Sequence, residues 1–238
     1  MVEQPPERLM PRIITKRATR EEILALSVPL FARHGYEGVS MRDVAAAVAL
    51  TPAALYYHFA DKEQLYLDAV AHEFRDKAGE LVDVLTGPRP PWTKLEAFVA
   101  SLARMLSTHK DFLRLMQWVL LDGDELRQHT LARHVFKDLL VAVHELAADL
   151  DARQDAHLLA ISILATVFFP FQVGVTRRFM PGHRAEQDDP AVLARHVIGL
   201  LRIGLNPAGQ LTGDDARKLA PGRKAQDASR RRLRGKDD

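Results

Sequence analysis

The sequence predicts an all-α protein in which three short N-terminal helices are followed by a larger helical domain. Apolar residues recur at helical spacing along most of the 238 residues, whereas the alternation of apolar and polar residues typical of strands never persists. Capping residues precede these stretches, and Gly or Pro separates many of them. The chain has no cysteine, which excludes disulfides, thiolate nucleophiles and cysteine-ligated metals.

The first helix is predicted to begin after Thr19, because Thr19 and Glu22 have the spacing of a capping box. Gly35 is expected to end it as a left-handed cap. Pro29 lies inside this helix and is expected to remove one backbone hydrogen bond, which costs ~3 kcal/mol or kinks the helix. The predicted inward face consists of Ile23, Ser27, Leu30 and Phe31.

Two further short helices are predicted around a tight turn at Ala49 and Leu50. Ser40 begins the first of them, and Thr51 begins the second with Pro52 at its first position. Ala49 lies in this turn, and if the turn needs a positive φ there, the alanine is strained. A fourth helix is expected from Asp61 to about Leu85. The predicted inward residues are Met41, Val44 and Val48 in the second helix, and Leu55 and Phe59 in the third helix. This arrangement predicts a helix-turn-helix, a motif whose second helix typically enters the DNA major groove.

Later helices are predicted at about 93–108, 111–121, 124–150, 154–179 and 189–205. The uncharged stretch 158–176 is long enough to cross a bilayer, but its polar residues, Pro170 and Gly174 favour a buried or subunit-interface helix. The predicted domains are 19–65 and 66–205. Residues 1–18 are expected to form a disordered basic arm and residues 206–238 a disordered basic tail.

The stretch GYEGVSMRDVAAAVALTPAALYYHFADKEQLYLDAV, residues 35–70, resembles the DNA-binding domain of TetR-family transcription regulators. The resemblance covers about a quarter of the chain and is carried by Phe31, Gly35, Tyr36, Ser40, Arg42, Asp43, Val44, Ala45, Leu55, Tyr56, His58, Phe59, Lys62, Leu65 and Ala69. It implies that 49–59 is the recognition unit. The implied groove-facing residues are Thr51, Pro52, Ala53, Tyr56 and Tyr57. The resemblance implies that His58 and Lys62 contact DNA phosphates. It implies that Ser40 and Arg42 contact the DNA backbone on the opposite side of the groove.

Each of these residues also has a purely structural interpretation. Ser40 and Thr51 are helix caps, Tyr56 could lie at a packed rim, and Arg42 could be solvated. The recognition helix has no Arg, Lys, Asn or Gln before His58, so bidentate recognition of guanine or adenine from this helix is absent. Specificity is instead expected from tyrosine and thymine-methyl contacts, Arg42, DNA shape and an arm containing Lys16, Arg17 and Arg20.

In the C-terminal half, the resemblance implies a ligand cavity and a dimer interface built from the last two helices. The apolar stripe suited to that interface, unless it is core, is Leu193, Val197, Leu200, Leu201 and Leu205. The candidate cavity residues, each of which could also be plain core, are Met105, Gln117, Trp118, His134, Phe168, Phe169 and Gln172. A small hydrophobic or aromatic effector is expected.

The sequence therefore leads us to expect a cytoplasmic homodimeric repressor that binds a palindromic operator in double-stranded DNA and responds to a ligand. No cofactor, metal, membrane or enzymatic activity is expected. The pair His144-Glu145 begins a zinc-protease-like motif, but Ala148 replaces the second histidine. Two alternatives stay open: a helical hydrophobic-ligand carrier or enzyme, and a helix-turn-helix DNA-architecture protein without an effector.

Overall fold

The structure, a computed structural model, describes residues 18–205. Within this range every regular element is helical, as predicted, and no strand occurs. The helices are α1 Arg20–His34, α2 Met41–Ala47, α3 Pro52–His58, α4 Lys62–Thr86, α5 Pro91–Thr108, α6 Lys110–Leu121, α7 Glu125–His134, α8 Lys137–Leu150, α9 Ala156–Gln172 and α10 Pro190–Gly204. The predicted tail and all of the predicted arm except Ala18 lie outside the described residues.

The chain divides into two compact units between Glu73 and Phe74, within α4. This division falls later in the chain than the predicted boundary after residue 65. In the N-terminal unit α2 packs against both α1 and α3, which is the helix-turn-helix arrangement.

The predicted caps of the first two helices are confirmed. The Thr19 hydroxyl accepts a hydrogen bond from the Glu22 N–H at 3.2 Å, and the Glu22 carboxylate accepts one from the Thr19 N–H at 2.9 Å. Ser40 and Asp43 form the same reciprocal pair. Gly35 ends α1 with a positive φ of 68°, but its ψ of −177° differs from the left-handed helical value that we expected.

The core of the N-terminal unit combines aliphatic side chains with the aromatic residues Phe31, Phe59 and Tyr66. Phe31 and Tyr66 meet edge to face with ring centroids 5.1 Å apart. Leu55 and Phe59 of the α3 region are fully buried, as predicted, so the inner side of α3 is fixed against the unit. The Arg20 guanidinium lies 4.9 Å from the centre of the Phe59 ring and pairs with Asp68 at 2.5 Å. Arg20, which we expected to act with the arm, therefore contacts this unit's own residues.

In the second unit, α5 packs against α8, α9 and α10. The prediction of one helix over 124–150 is wrong, because α7 ends at His134 and α8 begins at Lys137. The N–H groups of Val135 and Phe136 both donate to the Leu131 carbonyl, which closes α7. The Phe136 ring packs edge to face on Phe74, with centroids 4.8 Å apart. The helix therefore ends, beside a tertiary contact, at a place where the sequence has no Gly or Pro.

The predicted helix 154–179 is also too long, because α9 ends at Gln172. Pro170 has no N–H, and the N–H of Gly174 donates to Phe171 in a turn directly after the helix. The chain then forms a short 3₁₀ turn at Thr176–Phe179. None of the described helices combines the length and apolarity that crossing a membrane requires.

The apolar stripe predicted for an interface along α10 is divided in the structure. Val197 and Leu205 are buried within this chain, whereas Leu200 is exposed. On α9, Leu158 and Ile161 are exposed apolar side chains. Part of the predicted stripe is therefore the chain's own core, and α9 contributes more exposed apolar surface than the sequence suggested.

Candidate functional site

The second helix of the helix-turn-helix, α3, has one buried and one exposed side. Leu55 is completely buried, whereas Tyr57 is 87% exposed and Tyr56 is 52% exposed. Thr51, Pro52 and Ala53 at the beginning of α3 are also exposed. Two adjacent tyrosines on a short helix therefore offer aromatic faces and phenolic hydroxyls to a partner, while Leu55 and Phe59 hold the helix in place.

The hydroxyl groups that cap α2 and α3 differ in whether the hydroxyl proton is free to donate a further hydrogen bond. The Thr51 hydroxyl accepts from the Ala54 N–H at 3.1 Å, which leaves its proton available to an outside acceptor such as a phosphate. The Ser40 hydroxyl donates to the Asp43 carboxylate at 2.6 Å. This bond and the Ser40 backbone N–H keep the pKa of Asp43 below its ordinary value. Thr51 is thus better prepared than Ser40 for the predicted contact.

The cationic candidates are also placed differently from one another. Arg42 is exposed on α2. Lys62 donates to the Tyr36 carbonyl at 3.1 Å, and its ammonium group lies 4.1 Å from the centre of the Tyr36 ring. His58 is half-buried, with its ring 5.5 Å from that of Tyr57. A phosphate contact by Lys62 must therefore compete with an internal hydrogen bond.

The turn between α2 and α3 contains a strained residue. Ala49 has a φ of 54°, and it is the one non-glycine residue with positive φ in the described part of the chain. Its N–H donates to the Ala46 carbonyl at 3.3 Å, and the Leu50 N–H donates to Ala45 at 2.9 Å. The expected strain at this turn is confirmed by the backbone geometry.

The net charge of the N-terminal unit is unfavourable to non-specific attraction of nucleic acid. Between residues 18 and 73 the sequence has four Lys or Arg residues and eight Asp or Glu residues. Residues 18–73 therefore provide no general electrostatic attraction to a polyanion, whereas residues 1–17 add four Lys or Arg and two Asp or Glu residues to the sequence. Contact with DNA then depends on where individual side chains lie, above all on the exposed side of α3.

The second unit contains a cavity of about 410 Å³, within the range of small-molecule sites. Of the predicted ligand residues, Met105, Phe168, Phe169 and Gln172 line it. The remaining lining residues are Phe74, Ala78, Leu81, Leu102, Phe112, Met116, Val119, Leu120, Phe136, Leu139, Leu140, Ile161, Leu164 and Ala165.

The structure does not bring the other three predicted ligand residues, Gln117, Trp118 and His134, to the cavity wall. On α6 the residues facing the cavity are Phe112, Met116, Val119 and Leu120. The helical rotation of about 100° per residue turns Gln117 and Trp118 away from that face. His134 is exposed at the end of α7. The aromatic lining residues that the sequence analysis did not propose are Phe74, Phe112 and Phe136. Helical periodicity alone does not distinguish such residues from residues of a filled core.

The fold and the exposed side of α3 define a helix-turn-helix protein with a second helical unit that contains a partly open cavity. Residues 23–69 match the sequence model of the tetR family of bacterial regulatory proteins. This match lies entirely within the N-terminal unit, which is therefore similar to the DNA-binding part of tetR-family regulators.

Curated relatives match part of the chain. The chain is 36% identical over 106 residues to the HTH-type transcriptional repressor AcnR of Corynebacterium diphtheriae, covering 39% of this chain and 53% of AcnR. It is 31% identical over 94 residues to the HTH-type transcriptional repressor KstR2 of Mycolicibacterium smegmatis, covering 38% of this chain and 44% of KstR2. The match therefore spans about half the length of these relatives.

Solved structures share the fold over most of the chain. AibR, in a complex with isovaleryl coenzyme A and operator DNA, superposes with a TM-score of 0.61 at 22% identity, covering 76% of this chain and 97% of AibR. The transcriptional regulator FadR from Bacillus subtilis, in complex with stearoyl-CoA, has a TM-score of 0.63 at 14% identity, covering 79% of this chain and 97% of FadR.

Proposed function

We propose that this protein is a ligand-responsive transcriptional repressor that binds a palindromic operator as a homodimer. The observation that carries the proposal is the exposed side of α3. Thr51, Tyr56 and Tyr57 are accessible there, within the stretch matched by the regulatory family. Each recognition helix enters one major groove, and Tyr56 and Tyr57 contact base edges and the backbone.

The dimer is supported by exposed apolar side chains on the two helices that the family resemblance assigns to an interface. These are Leu158 and Ile161 on α9, and Leu200 and Ile203 on α10. Burying them against a second copy removes apolar surface from water. A two-fold pair then presents its recognition helices to half-sites separated by one DNA turn, ~34–36 Å.

Ligand response is supported by the cavity in the second unit. A ligand that binds better to a conformation with wrongly spaced recognition helices shifts the population away from the DNA-binding form. The repressor activity is proposed by analogy with AcnR and KstR2, whose names describe repressors.

The test is selection of bound fragments from a random duplex library by the purified full-length protein. We expect enrichment of a palindrome with half-sites about ten base pairs apart. The recovered duplex is then titrated against Tyr56→Ala, which we expect to lose operator binding while keeping its helical circular dichroism.

The matched control is Phe179→Ala, which removes an exposed aromatic residue from the second unit. We expect it to bind the recovered duplex like the wild type. Failure to enrich any sequence, or equal affinities of Tyr56→Ala and Phe179→Ala, would contradict the proposed recognition surface.

A further inference from the structure

The cavity in the second unit contains one polar lining residue. Its wall consists of apolar side chains except for Gln172, and no lining residue carries a charge. Five of the lining side chains are phenylalanines: Phe74, Phe112, Phe136, Phe168 and Phe169. Phe74 contacts both Phe112 and Phe136, with ring centroids 6.4 Å and 4.8 Å away, so one part of the wall is an aromatic cluster.

Gln172, the last residue of α9, has an amide side chain that is available to a ligand. Its backbone carbonyl accepts a hydrogen bond from the Gln117 side chain at 3.4 Å. No group within residues 18–205 is hydrogen-bonded to its side-chain amide. An amide both donates and accepts, so this group can pair with a carbonyl, a hydroxyl or another amide.

A separate pocket that shares lining residues with the cavity contains charged side chains. Lys77, Glu80 and Arg104 line a polar pocket of about 330 Å³. The two spaces have Leu81 and Met105 in common as lining residues. No charged residue lines the larger cavity, so its wall offers an ionised ligand group no oppositely charged partner.

We infer that the cavity binds an uncharged, largely hydrocarbon ligand that presents one hydrogen-bonding group, such as a ketone or hydroxyl, to the side-chain amide of Gln172. A carboxylate or ammonium group would lose its hydration there without gaining an opposite charge. A pure hydrocarbon would leave the amide without a partner. The inference rests on the proposed function, because it assigns the effector class of the sensing unit.

The test uses probes that share one aromatic skeleton: 2-acetylnaphthalene, 2-ethylnaphthalene, 2-naphthoate and the 2-naphthyltrimethylammonium ion. Their binding to the DNA-free, full-length protein is measured by isothermal titration calorimetry. We expect the ketone to bind roughly two- to tenfold more tightly than the hydrocarbon, because it gains one hydrogen bond. The two ions are expected to bind at least about thirtyfold more weakly than the ketone, because burial strips their hydration.

Gln172→Met removes the amide at nearly constant volume. We expect it to abolish the preference for the ketone and to leave the hydrocarbon affinity unchanged. The control is Gln154→Met, at an exposed glutamine that does not line the cavity, and it should bind all four probes like the wild type.

Four results would overturn the inference: no probe binds, an ion binds as tightly as the ketone, Gln172→Met keeps the ketone preference, or Gln154→Met loses it. Naphthoate binding that is lost in Arg104→Gln would instead place a ligand's charged end in the polar pocket. Because DNA is absent from these titrations, a result that overturns the ligand inference is distinguishable from a failure of the proposed operator binding.

Discussion

Ala49→Gly should stabilise the N-terminal unit, although replacing alanine by glycine usually destabilises a protein. Ala49 has a φ of 54°, a conformation that costs an L-residue roughly 1–2 kcal/mol relative to right-handed backbone. Glycine adopts it freely but adds unfolded-state entropy worth about 0.4–1 kcal/mol. Ala49 is exposed, so little packing is lost with its methyl group. The net stabilisation should be about 0.5–1 kcal/mol.

The two units can be followed separately. All four tyrosines lie between residues 36 and 66, and the two tryptophans are Trp92 and Trp118. Thermal unfolding recorded in the tyrosine band of near-ultraviolet circular dichroism should therefore follow the N-terminal unit, and tryptophan fluorescence the second unit. A stabilisation of about 0.5–1 kcal/mol should raise the thermal unfolding midpoint recorded from tyrosine by roughly 2–8 °C. The unfolding midpoint recorded from tryptophan should stay unchanged.

Ala46→Gly is the matched control, because Ala46 is exposed and lies within helix α2. Glycine there should destabilise the unit by about 1 kcal/mol. If Ala49→Gly lowers the tyrosine midpoint as Ala46→Gly does, the turn is not strained and the reasoning is refuted.

Three other predictions concern the second unit. Arg127→Gln should lower the free energy of unfolding of this unit by about 3 kcal/mol in urea titrations, because Arg127 and Asp122 form a nearly buried ion pair at 2.6 Å. A decrease below about 1 kcal/mol would show that the ion pair is dispensable. The hydrogen bond from Arg127 lowers the pKa of Asp122, so this contribution should be complete above about pH 4 and be lost as the pH falls further. Acid titrations of the wild type and Arg127→Gln should therefore converge below pH 4, and parallel curves would contradict the assignment. Ala165→Phe, at an exposed position of the cavity wall, should prevent binding of 2-acetylnaphthalene while the tryptophan midpoint stays near that of the wild type. Unchanged binding would show that the probe lies elsewhere.

Local chemistry explains why the first four helices were predictable from the sequence. Their boundaries depend on side chains within three or four residues of the cap, such as Thr19 with Glu22 and Ser40 with Asp43. The strain at Ala49 was predicted only on the condition that the turn needs a positive φ, and the backbone geometry meets that condition.

The break between α7 and α8 coincides with a contact far away in sequence, that of Phe136 with Phe74. No local pattern encodes it. The cavity is hidden for a related reason, because an apolar side chain looks the same in sequence whether it faces a filled core or an open space. Gln172 stood out because it is polar in an apolar stretch, whereas Gln117 has the same appearance and does not reach the wall.

The most direct test of the account is the ratio of affinities for the selected duplex and a scrambled duplex, measured by fluorescence anisotropy at one fixed salt concentration. The wild type should prefer the selected duplex by at least about 10³-fold. The double variant Tyr56→Ala, Tyr57→Ala should bind both duplexes with nearly equal, weak affinity. If the double variant keeps the wild-type ratio, the exposed side of α3 does not recognise DNA and the central claim is wrong.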